Sequence, residues 1–336
     1  DVKVALDFGL WKDRINGIVE AYWRKSKDCV TSEYVPVTTG FFNQSYNTSV
    51  LQNNGVEFSL SVAVLKSKDY NLSVSANVAW NQNKLKKYNS PNTSLALDKY
   101  VGYPMGAVFS GKYEGIDPET GMYKFKLRPD AVTNKDGYLR EPNNYYYYLG
   151  TSVAPFTGGF NLNFSYKNIG LSVGGSYSVK AKMVDNIESP AGYELLSGSK
   201  LESIPTPHND LYRNHLNVKR EVRNRWTPEN RTGVKYPRLI DAYGKKLGLA
   251  MTNPTLTTIT RGALLEDISY LRINTIALSY SLPQRVLERI NFSSAALNLT
   301  LNNFFTITKY SGIDPEVPGA TYPVSRSVTI GLNVGF

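Results

Sequence analysis

The chain contains a single cysteine, Cys29, among its 336 residues, so no disulfide can form within it and a disulfide-stapled secreted scaffold is excluded. It has no long apolar run, which excludes a helical membrane protein. Its two histidines, His208 and His215, lie in a predicted loop without nearby cysteines or the HExxH spacing of a zinc site. We therefore expect no metal centre, no catalytic constellation and no enzyme activity.

The basic residues outnumber the acidic ones but are dispersed along the chain. The net charge is +10, while hydrophobic residues make up 41% and charged residues 20% of the sequence. This is the composition of an ordinary folded protein. Positive charge can indicate nucleic-acid binding, but no helix-turn-helix pattern or zinc spacing accompanies it here. The charge therefore predicts a solvated basic surface and no nucleic-acid partner.

The last fifteen residues, Tyr322 to Phe336, show the clearest pattern in the chain. From Val324 onward the even positions are apolar except for Arg326, and the odd positions carry serine, threonine, asparagine or glycine. Period two predicts an extended strand whose side chains alternate between two faces. Small polar residues opposite an apolar face are typical of a membrane strand with lipid outside and a polar lumen inside. The alternative is a half-buried strand of a soluble β-protein.

The same alternation recurs along the chain and predicts nine strands. A phase shift within residues 267–282 predicts a β-bulge near Asn274, because a bulge adds one residue to one strand. Pro283 ends that strand. The nine stretches are approximately 2–10, 15–24, 56–64, 72–80, 160–166, 169–179, 267–282, 297–307 and 324–336.

The connections alternate between short and long. Long loops are expected at about 31–50, 84–155, 183–264 and 309–321, with tight turns between them. Short turns at one end and long loops at the other are typical of an outer-membrane barrel, whose short turns face the periplasm. A single-chain bacterial barrel with both ends in the periplasm needs an even number of strands. Nine is odd, so we expect at least one strand before Asp1, and the chain to be the C-terminal part of a longer protein.

Six motifs in order carry a family resemblance. They are NNGVEFSL (53–60), GIDPETGMYKF (115–125), YLGTSVAPFTGGFNLNFSYKNIGLSV (148–173), RWTPENRTGVKYPRL (225–239), SYLRINTIALSYSLP (269–283) and NNFFTITKYSGIDPEV with YPVSRSVTIGLNVGF (302–336). Together they resemble the C-terminal barrel region of the SusC/RagA-type TonB-dependent transporters of Bacteroidota outer membranes. The resemblance covers nearly the whole chain.

This resemblance implies an all-β fold, a transmembrane antiparallel β-barrel of 22 strands closed by a plug, of which residues 1–336 would supply about nine C-terminal strands. The plug and the TonB-contacting segment lie N-terminal in that family and are absent from this chain. The resemblance implies active import of a bulky oligosaccharide or peptide with a SusD-like surface lipoprotein, driven by TonB, ExbB and ExbD. It also implies that Phe336 is a C-terminal barrel-assembly signal, and it allows a dimer of transporter–lipoprotein pairs in the membrane lipid.

Several residues are candidates for contact with the substrate or the plug. One group consists of four consecutive tyrosines that could present rings to a sugar or peptide, or pack a loop: Tyr145, Tyr146, Tyr147 and Tyr148. Arg225 and Trp226 could likewise contact the substrate or pack a loop. On the lumen face, Glu57, Asn77, Asn163 and Arg272 could contact the plug or line the path. The tyrosines and tryptophans of the strands, among them Tyr166 and Tyr280, are expected in interfacial girdles.

Two acidic pairs lie in turn-like sequences, Asp117 with Glu119 in GIDPETG and Asp314 with Glu316 in GIDPEV. Their proline and glycine neighbours favour turns, with loop-bound calcium as the alternative. We expect no cofactor. Two other functions compete with import, namely a passive outer-membrane porin or adhesin without a plug, and a soluble β-rich carbohydrate-binding module.

Overall fold

The computed structural model describes residues 1–88, 100–119, 121, 123–131, 144–184, 223–236, 261–318 and 322–336. Strands make up most of the described part, and there is almost no helix. In chain order they are β1 Val2–Leu10, β2 Ile15–Tyr34, β3 Asn43–Lys66, β4 Tyr70–Lys87, β5 Ala107–Gly111, β6 Tyr113–Ile116, β7 Tyr123–Phe125, β8 Tyr146–Thr151, β9 Phe156–Tyr166, β10 Ile169–Val179, β11 Lys182–Val184, β12 Leu265–Asp267, β13 Tyr270–Ser281, β14 Ser294–Thr308 and β15 Ser327–Gly335.

Nine of these strands form one antiparallel sheet in the order β1-β2-β3-β4-β9-β10-β13-β14-β15. The predicted nine-strand count is therefore confirmed. Strands that pair in this sheet also follow one another in the sequence, except where the short strands β5–β8 and β11–β12 come between them. Within the described residues, β1 and β15 are the two edges, and each pairs with one neighbour only.

The outward face of this sheet is apolar in a continuous row across all nine strands. The row contains only aliphatic side chains, and neighbours in it are directly paired: Leu10, Ile15, Val62, Val74, Leu162, Val173, Ile276, Leu301 and Val328. Outward residues of the last strand are widely exposed, with Ile330 at 73% and Leu332 at 66%. So much exposed apolar surface is suited to lipid rather than water.

The opposite face is small and polar in a row that also crosses all nine strands. Hydrogen bonds between side chains link neighbours here, as where Thr275 donates to Asn302 and Asn302 donates to Ser327. The paired residues of this row are Gly9, Asn16, Ser61, Ser75, Asn161, Gly174, Thr275, Asn302 and Ser327. The two-faced pattern read from the last strand thus holds for the whole sheet.

Aromatic residues mark two levels on the outward face. Near the short connections Tyr70 is paired with Tyr166, and Tyr280 lies in the same row. Ten residues farther along β4, Trp80 is paired with Phe156. Ten residues of strand span about 33 Å, and a tilt of about 40° reduces this to about 25 Å along the membrane normal. This is the height of the apolar band of an outer-membrane barrel.

The bulge predicted near Asn274 is confirmed. On one side Gly174 and Gly175 pair with Thr275 and Ile273, so Asn274 is the additional residue. The bulge explains why apolar residues change from odd to even positions within β13. As a result, Arg272 faces the polar side of the sheet together with its paired neighbours Ser176 and Thr306.

The connections differ in length between the two ends of the sheet. Residues 11–14, 67–69, 167–168 and 282–293 join strands at one end, and all other connections lie at the opposite end, which we call the loop end. A loop and a turn are among the features that differ from the sequence expectation. The loop predicted at 31–50 is shorter in the structure, because β2 continues to Tyr34 and β3 begins at Asn43. These two strand ends lack apolar alternation, so periodicity does not reveal them.

The second difference is a seven-residue helix, Gln284–Ile290, where the sequence predicted a turn. Pro283 precedes it and Asn291 ends it in a left-handed conformation, which asparagine tolerates better than most residues. Among the residues described, no helix is long and apolar enough to cross a membrane.

Candidate functional site

The loop end carries three small two-stranded sheets, β5 with β8, β6 with β7, and β11 with β12. The loop that leads into β5 is joined to the large sheet by backbone hydrogen bonds, as where the N–H of Leu85 in β4 donates to the carbonyl of Tyr103 at 2.9 Å. The N–H of Met105 donates to the lumen-facing side chain of Asn83 at 2.8 Å. The loop 100–108 therefore lies against the inner side of the wall and narrows the mouth.

Arg272 lies at the centre of an ionic cluster, which we call the loop clamp. Its guanidinium donates to Asp314 at 2.6 Å and to Glu316 at 2.6 Å, and its Nε donates to Thr306 at 3.2 Å. Arg272 and Asp314 are buried, at 3% and 5% exposed. The clamp ties the loop between β14 and β15 to the lumen face of β13.

The Asp314 carboxylate also organises its own loop. It accepts hydrogen bonds from the backbone N–H groups of Glu316, at 2.9 Å, and Val324, at 3.3 Å. Burial by itself raises the pKa of this carboxyl, but the two N–H donors and the Arg272 guanidinium outweigh burial and lower the pKa below its ordinary value. The carboxylate is therefore held ionised by its loop and by Arg272 together.

The two GIDPE motifs form the turns that the sequence predicted. In each, the aspartate side chain accepts a hydrogen bond from the N–H two residues later, Asp117 from Glu119 and Asp314 from Glu316. The sequence did not reveal that the second motif binds Arg272, because a contact across 42 residues leaves no local signal. His208 and His215 lie outside the described residues, so the structure does not place them.

The four consecutive tyrosines lie along β8 and the residue before it. Tyr148 packs against Tyr103 and Phe109, with ring centroids 4.8 and 5.7 Å apart, and still exposes 41% of its surface. Tyr147 donates its hydroxyl to the carbonyl of Leu127 at 2.9 Å. Burial raises the pKa values of Tyr145 and Tyr148. The run thus packs the loops, and Tyr148 also presents part of its ring to solvent.

Trp226 is 7% exposed and donates its indole N–H to the carbonyl of Pro118 at 3.0 Å. It therefore packs the segment 223–236 onto the first GIDPE turn, which is the packing alternative of the sequence analysis. Arg225 forms an isolated bridge with Tyr236. Substrate contact by Arg225 and Trp226 stays a prediction.

The predicted lumen residues Glu57, Asn77 and Asn163 all face the polar side of the sheet. Asn77 accepts a hydrogen bond from the N–H of Gly159 at 2.9 Å, and Asn163 accepts one from Ser172 at 2.8 Å. Glu57 is paired with Glu20, whose carboxylate contacts Lys3 at 2.9 Å. Their faces agree with the prediction, and their contact with a plug or substrate stays a prediction.

Phe336 follows β15 and is 91% exposed. Its ring contacts that of Phe292 edge-to-face, with centroids 5.1 Å apart, at the short-connection end of the sheet. An exposed aromatic at this level suits the interfacial girdle. Its role as an assembly signal stays a prediction.

A cavity of about 500 Å³ lies between the loop layer and the ends of β2, β3 and β4. Leu51 and Leu85 are paired and lie at positions that continue the lumen face, where the preceding residues are polar. The alternation of the strands does not by itself predict this cavity. The available signal was the change from asparagine and serine to leucine at these two lumen-facing positions.

No protein family model matches the chain. The chain is 24% identical over 368 residues to TonB-dependent receptor P26 of Formosa agariphila, covering 99% of this chain and 34% of that protein. It is 25% identical over 356 residues to TonB-dependent receptor SusC of Bacteroides thetaiotaomicron, covering 98% of this chain and 31% of that protein. The chain spans about a third of the length of these curated relatives.

Solved structures agree with the sequence relatives. The RagAB peptide transporter aligns with a TM-score of 0.74 and 27% identity over 99% of this chain and 35% of that one. The resemblance to SusC/RagA-type TonB-dependent receptors is therefore confirmed along almost the whole chain. Such receptors are outer-membrane β-barrel proteins, and the nine-stranded sheet is a section of such a barrel wall in the outer membrane.

Proposed function

We propose that this outer-membrane barrel section, homologous to the SusC/RagA-type TonB-dependent receptors, works in the TonB-dependent import of a bulky oligosaccharide or peptide. The observation that carries the proposal is the sheet itself, which matches RagAB over 99% of the chain and has one lipid-facing and one polar face. A continuous polar face provides a surface along which a hydrated substrate can move. Import in this form leaves the substrate chemically unchanged.

The rest of the transporter belongs to the same proposal. Residues 1–336 would form the C-terminal part of the barrel, with the plug and the TonB-contacting segment in a region N-terminal to them. A SusD-like lipoprotein would cover the loop end, where the three small sheets and the loop clamp hold the connections in place. TonB, ExbB and ExbD would act from the periplasmic side through the plug.

Roles for the candidate residues follow from their positions. Tyr148, with its partly exposed ring beside Tyr103, would meet the substrate at the mouth, and Glu57, Asn77 and Asn163 would line the path or contact the plug. Arg272 would act differently, by holding a loop over the lumen rather than by touching the plug. No resident cofactor is needed for any of these roles.

The test measures the composition of the extracted complex and the energy dependence of uptake. Native mass spectrometry of the complex extracted gently in detergent should show a barrel polypeptide far heavier than 37.5 kDa, a second protein and a bound oligomer. The mass ladder of the oligomer would distinguish glycan from peptide. In cells, uptake should stop when TonB is deleted.

Two results would contradict the proposal. Uptake that continues unchanged without TonB would support a passive porin, because passive diffusion needs no energy transfer. Recovery of the protein in aqueous buffer without detergent would support a soluble carbohydrate-binding module. A barrel polypeptide of 37.5 kDa that travels alone would contradict both the domain assignment and the partner.

A further inference from the structure

The outward face of the wall carries positive charge just beyond its aromatic level at the loop end. Trp80 marks that level on β4. Two outward positions farther along, Lys25 of β2, Gln52 of β3 and Lys84 of β4 lie side by side, because they are directly paired. The outward row between these two levels contains no acidic side chain and consists of Val2, Trp23, Asn54 and Gln82.

A third lysine reaches the outward face from the end of β10. The ammonium of Lys180 lies 5.0 Å from the centroid of the Phe156 ring. Phe156 is paired with Trp80 and shares its outward face, so Lys180 lies on that face too. Aromatic rings at this level belong to the boundary between the hydrocarbon and the lipid head groups, and their faces attract cations. Lys180 is therefore held where head groups begin.

The other two lysines lie at a height that head groups occupy. The four residues from Trp80 to Lys84 span about 13 Å of strand, or about 10 Å along the membrane normal at a tilt of about 40°. The head-group region on each side of the hydrocarbon is about 5–8 Å thick. Lys25 lies lower, two residues or about 5 Å beyond Trp23. A lysine stem is long and flexible enough to bring its charge from either position into this region.

The charges on the two faces differ in how they are compensated. On the lumen face near the same height, Arg24 contacts Asp1 at 3.2 Å, and Lys3 contacts Glu20 at 2.9 Å. The three outward lysines form no ion pair with another described residue. The protein thus neutralises charge that faces the lumen, and it leaves positive charge where the surrounding lipid can supply the counter-ion.

We propose that Lys25, Lys84 and Lys180 form a binding surface for the phosphate groups of lipopolysaccharide in the outer leaflet. The loop end faces the cell exterior, because the short connections of such barrels face the periplasm. Lysine binds phosphate as a point charge, and basic residues beside an anionic lipid surface each add to the attraction. The occupant is a membrane lipid on the outside of the wall, so the proposal does not depend on which substrate passes through the lumen.

The first experiment compares two lipids on the unmodified protein. The full-length transporter in detergent would be titrated with diphosphoryl lipid A and with lipid A from which both phosphates have been removed, and bound lipid would be counted by native mass spectrometry. We expect the phosphorylated lipid to bind at least about tenfold more tightly at low ionic strength. The difference should shrink as NaCl is raised to about 0.5 M, because salt screens exposed charges.

The second experiment removes the charge. Replacing the three outward lysines together with glutamine keeps their length, and it should weaken binding of diphosphoryl lipid A by about fivefold for each lysine. Folding would be checked by the change of gel mobility on boiling.

The matched control replaces three lysines of the short turns with glutamine, Lys12, Lys68 and Lys167. Lys167 lies 5.3 Å from the centroid of the Tyr166 ring, the same arrangement as Lys180 over Phe156 but at the opposite end of the wall. Asp13 and Asp69 follow the other two lysines in their turns, so these turns carry less net positive charge. The control should bind lipid A as the unmodified protein does.

Three results would overturn the proposal. The first is equal affinity of the unmodified protein for phosphorylated and dephosphorylated lipid A. The second is an equal loss of binding in the two triple variants, because net charge alone would then explain it. The third is unchanged lipid A binding with loss of the copurifying second protein when the outward lysines are replaced, which would assign the surface to a protein partner. None of these readouts uses TonB-dependent uptake, so failure of the import function would be detected separately.

Discussion

At the scale of single residues, the loop clamp shows how one buried charge can organise the mouth of the barrel. Arg272 lies on a strand that faces the lumen, and both of its carboxylate partners belong to the loop between β14 and β15. A buried ion pair gives little net stability compared with apolar packing, but removing one partner leaves the other charge buried and unpaired. The clamp therefore matters mainly for where the loop lies.

Replacing Arg272 with leucine should release this loop. The change leaves Asp314 as a buried unpaired carboxylate, which costs about 3–5 kcal/mol. Lys309 lies in the same loop and is exposed, so we expect faster trypsin cleavage after Lys309 in intact cells. Arg272→Lys should be intermediate, because lysine keeps the charge but lacks the two-pronged donor geometry.

The matched control is the exposed pair of Arg128 with Asp130, in which the guanidinium donates to both oxygens of one carboxylate at 2.8 and 2.7 Å. Surface ion pairs contribute little, so Arg128→Leu should leave cleavage after Lys309 unchanged. Equal cleavage in the Arg272→Leu variant and the unmodified protein would show that the loop is held by other contacts.

The ionisation of Asp314 should make the same loop sensitive to acid. Its pKa is lowered in the folded protein, so the folded state binds this proton less readily than the unfolded state does. The stabilisation is therefore complete above about pH 5 and is lost as the pH falls through the lowered pKa. Hydrogen exchange of residues 309–318, corrected for its intrinsic pH dependence, should be constant from about pH 7 to 5 and rise below about pH 4.

Asp314→Asn is the comparison for this effect. The amide keeps the size of the side chain but carries no charge, so exchange should be faster at neutral pH and should lose most of its acid dependence. An unchanged acid response in the Asp314→Asn variant would show that Asp314 does not cause the response.

At the scale of elements, the strands follow from alternation wherever the membrane enforces it. Within the apolar band each strand has one face toward lipid and one toward water. Apolar and polar residues therefore alternate with a period of two in its sequence. Beyond the band the requirement disappears. The ends of β2 and β3 lie there, which is why their sequences predict a loop, and the helix Gln284–Ile290 is too short to show its own periodicity.

The two faces of β15 should respond oppositely to charge. Val328 belongs to the outward apolar row, so an arginine there would face lipid, at a cost of up to about 2–4 kcal/mol, the value for the middle of the bilayer. Thr329 is next to it in sequence but faces the lumen, so Thr329→Arg should be tolerated far better. The measurement is the yield of folded, heat-modifiable protein in the outer membrane, and equal yields of the two variants would contradict the assignment of faces.

At the scale of the whole molecule, the described sheet is an open wall. Both β1 and β15 present an edge of backbone groups that no other described strand covers. In lipid, unpaired edges are strongly unfavourable, because no water is available to satisfy their N–H and C=O groups. The wall therefore needs further strands to close, in agreement with relatives about three times its length.

Residues 1–336 expressed alone should consequently fail to refold in detergent into a protease-resistant monomer, whereas the full-length protein should do so. Exposed strand edges would instead pair between chains and give aggregates. The comparison needs only gel mobility before and after boiling, with trypsin resistance as a second readout. A resistant monomer of 37.5 kDa would show that β1 and β15 can close on each other.

The sequence by itself determined the strand count, the bulge at Asn274 and the two faces of the wall. Each of these is a local property, because period two and a phase shift can be read from neighbouring residues. The motifs of the loops and strands likewise determined the family resemblance. The sequence also placed Glu57, Asn77 and Asn163 on the lumen face, since alternation assigns a face to every residue of a strand.

Only the tertiary structure decided which loops meet which strands. The pairing of Arg272 with Asp314, the burial of Trp226 against Pro118 and the cavity under the loop 100–108 all join residues far apart in the chain. Loops carry no periodicity that reports a distant partner, and their contacts depend on how the strands beneath them are ordered. Lipid on one side and water on the other require the alternation that predicts the wall, whereas the mouth is set by contacts between residues far apart in the chain.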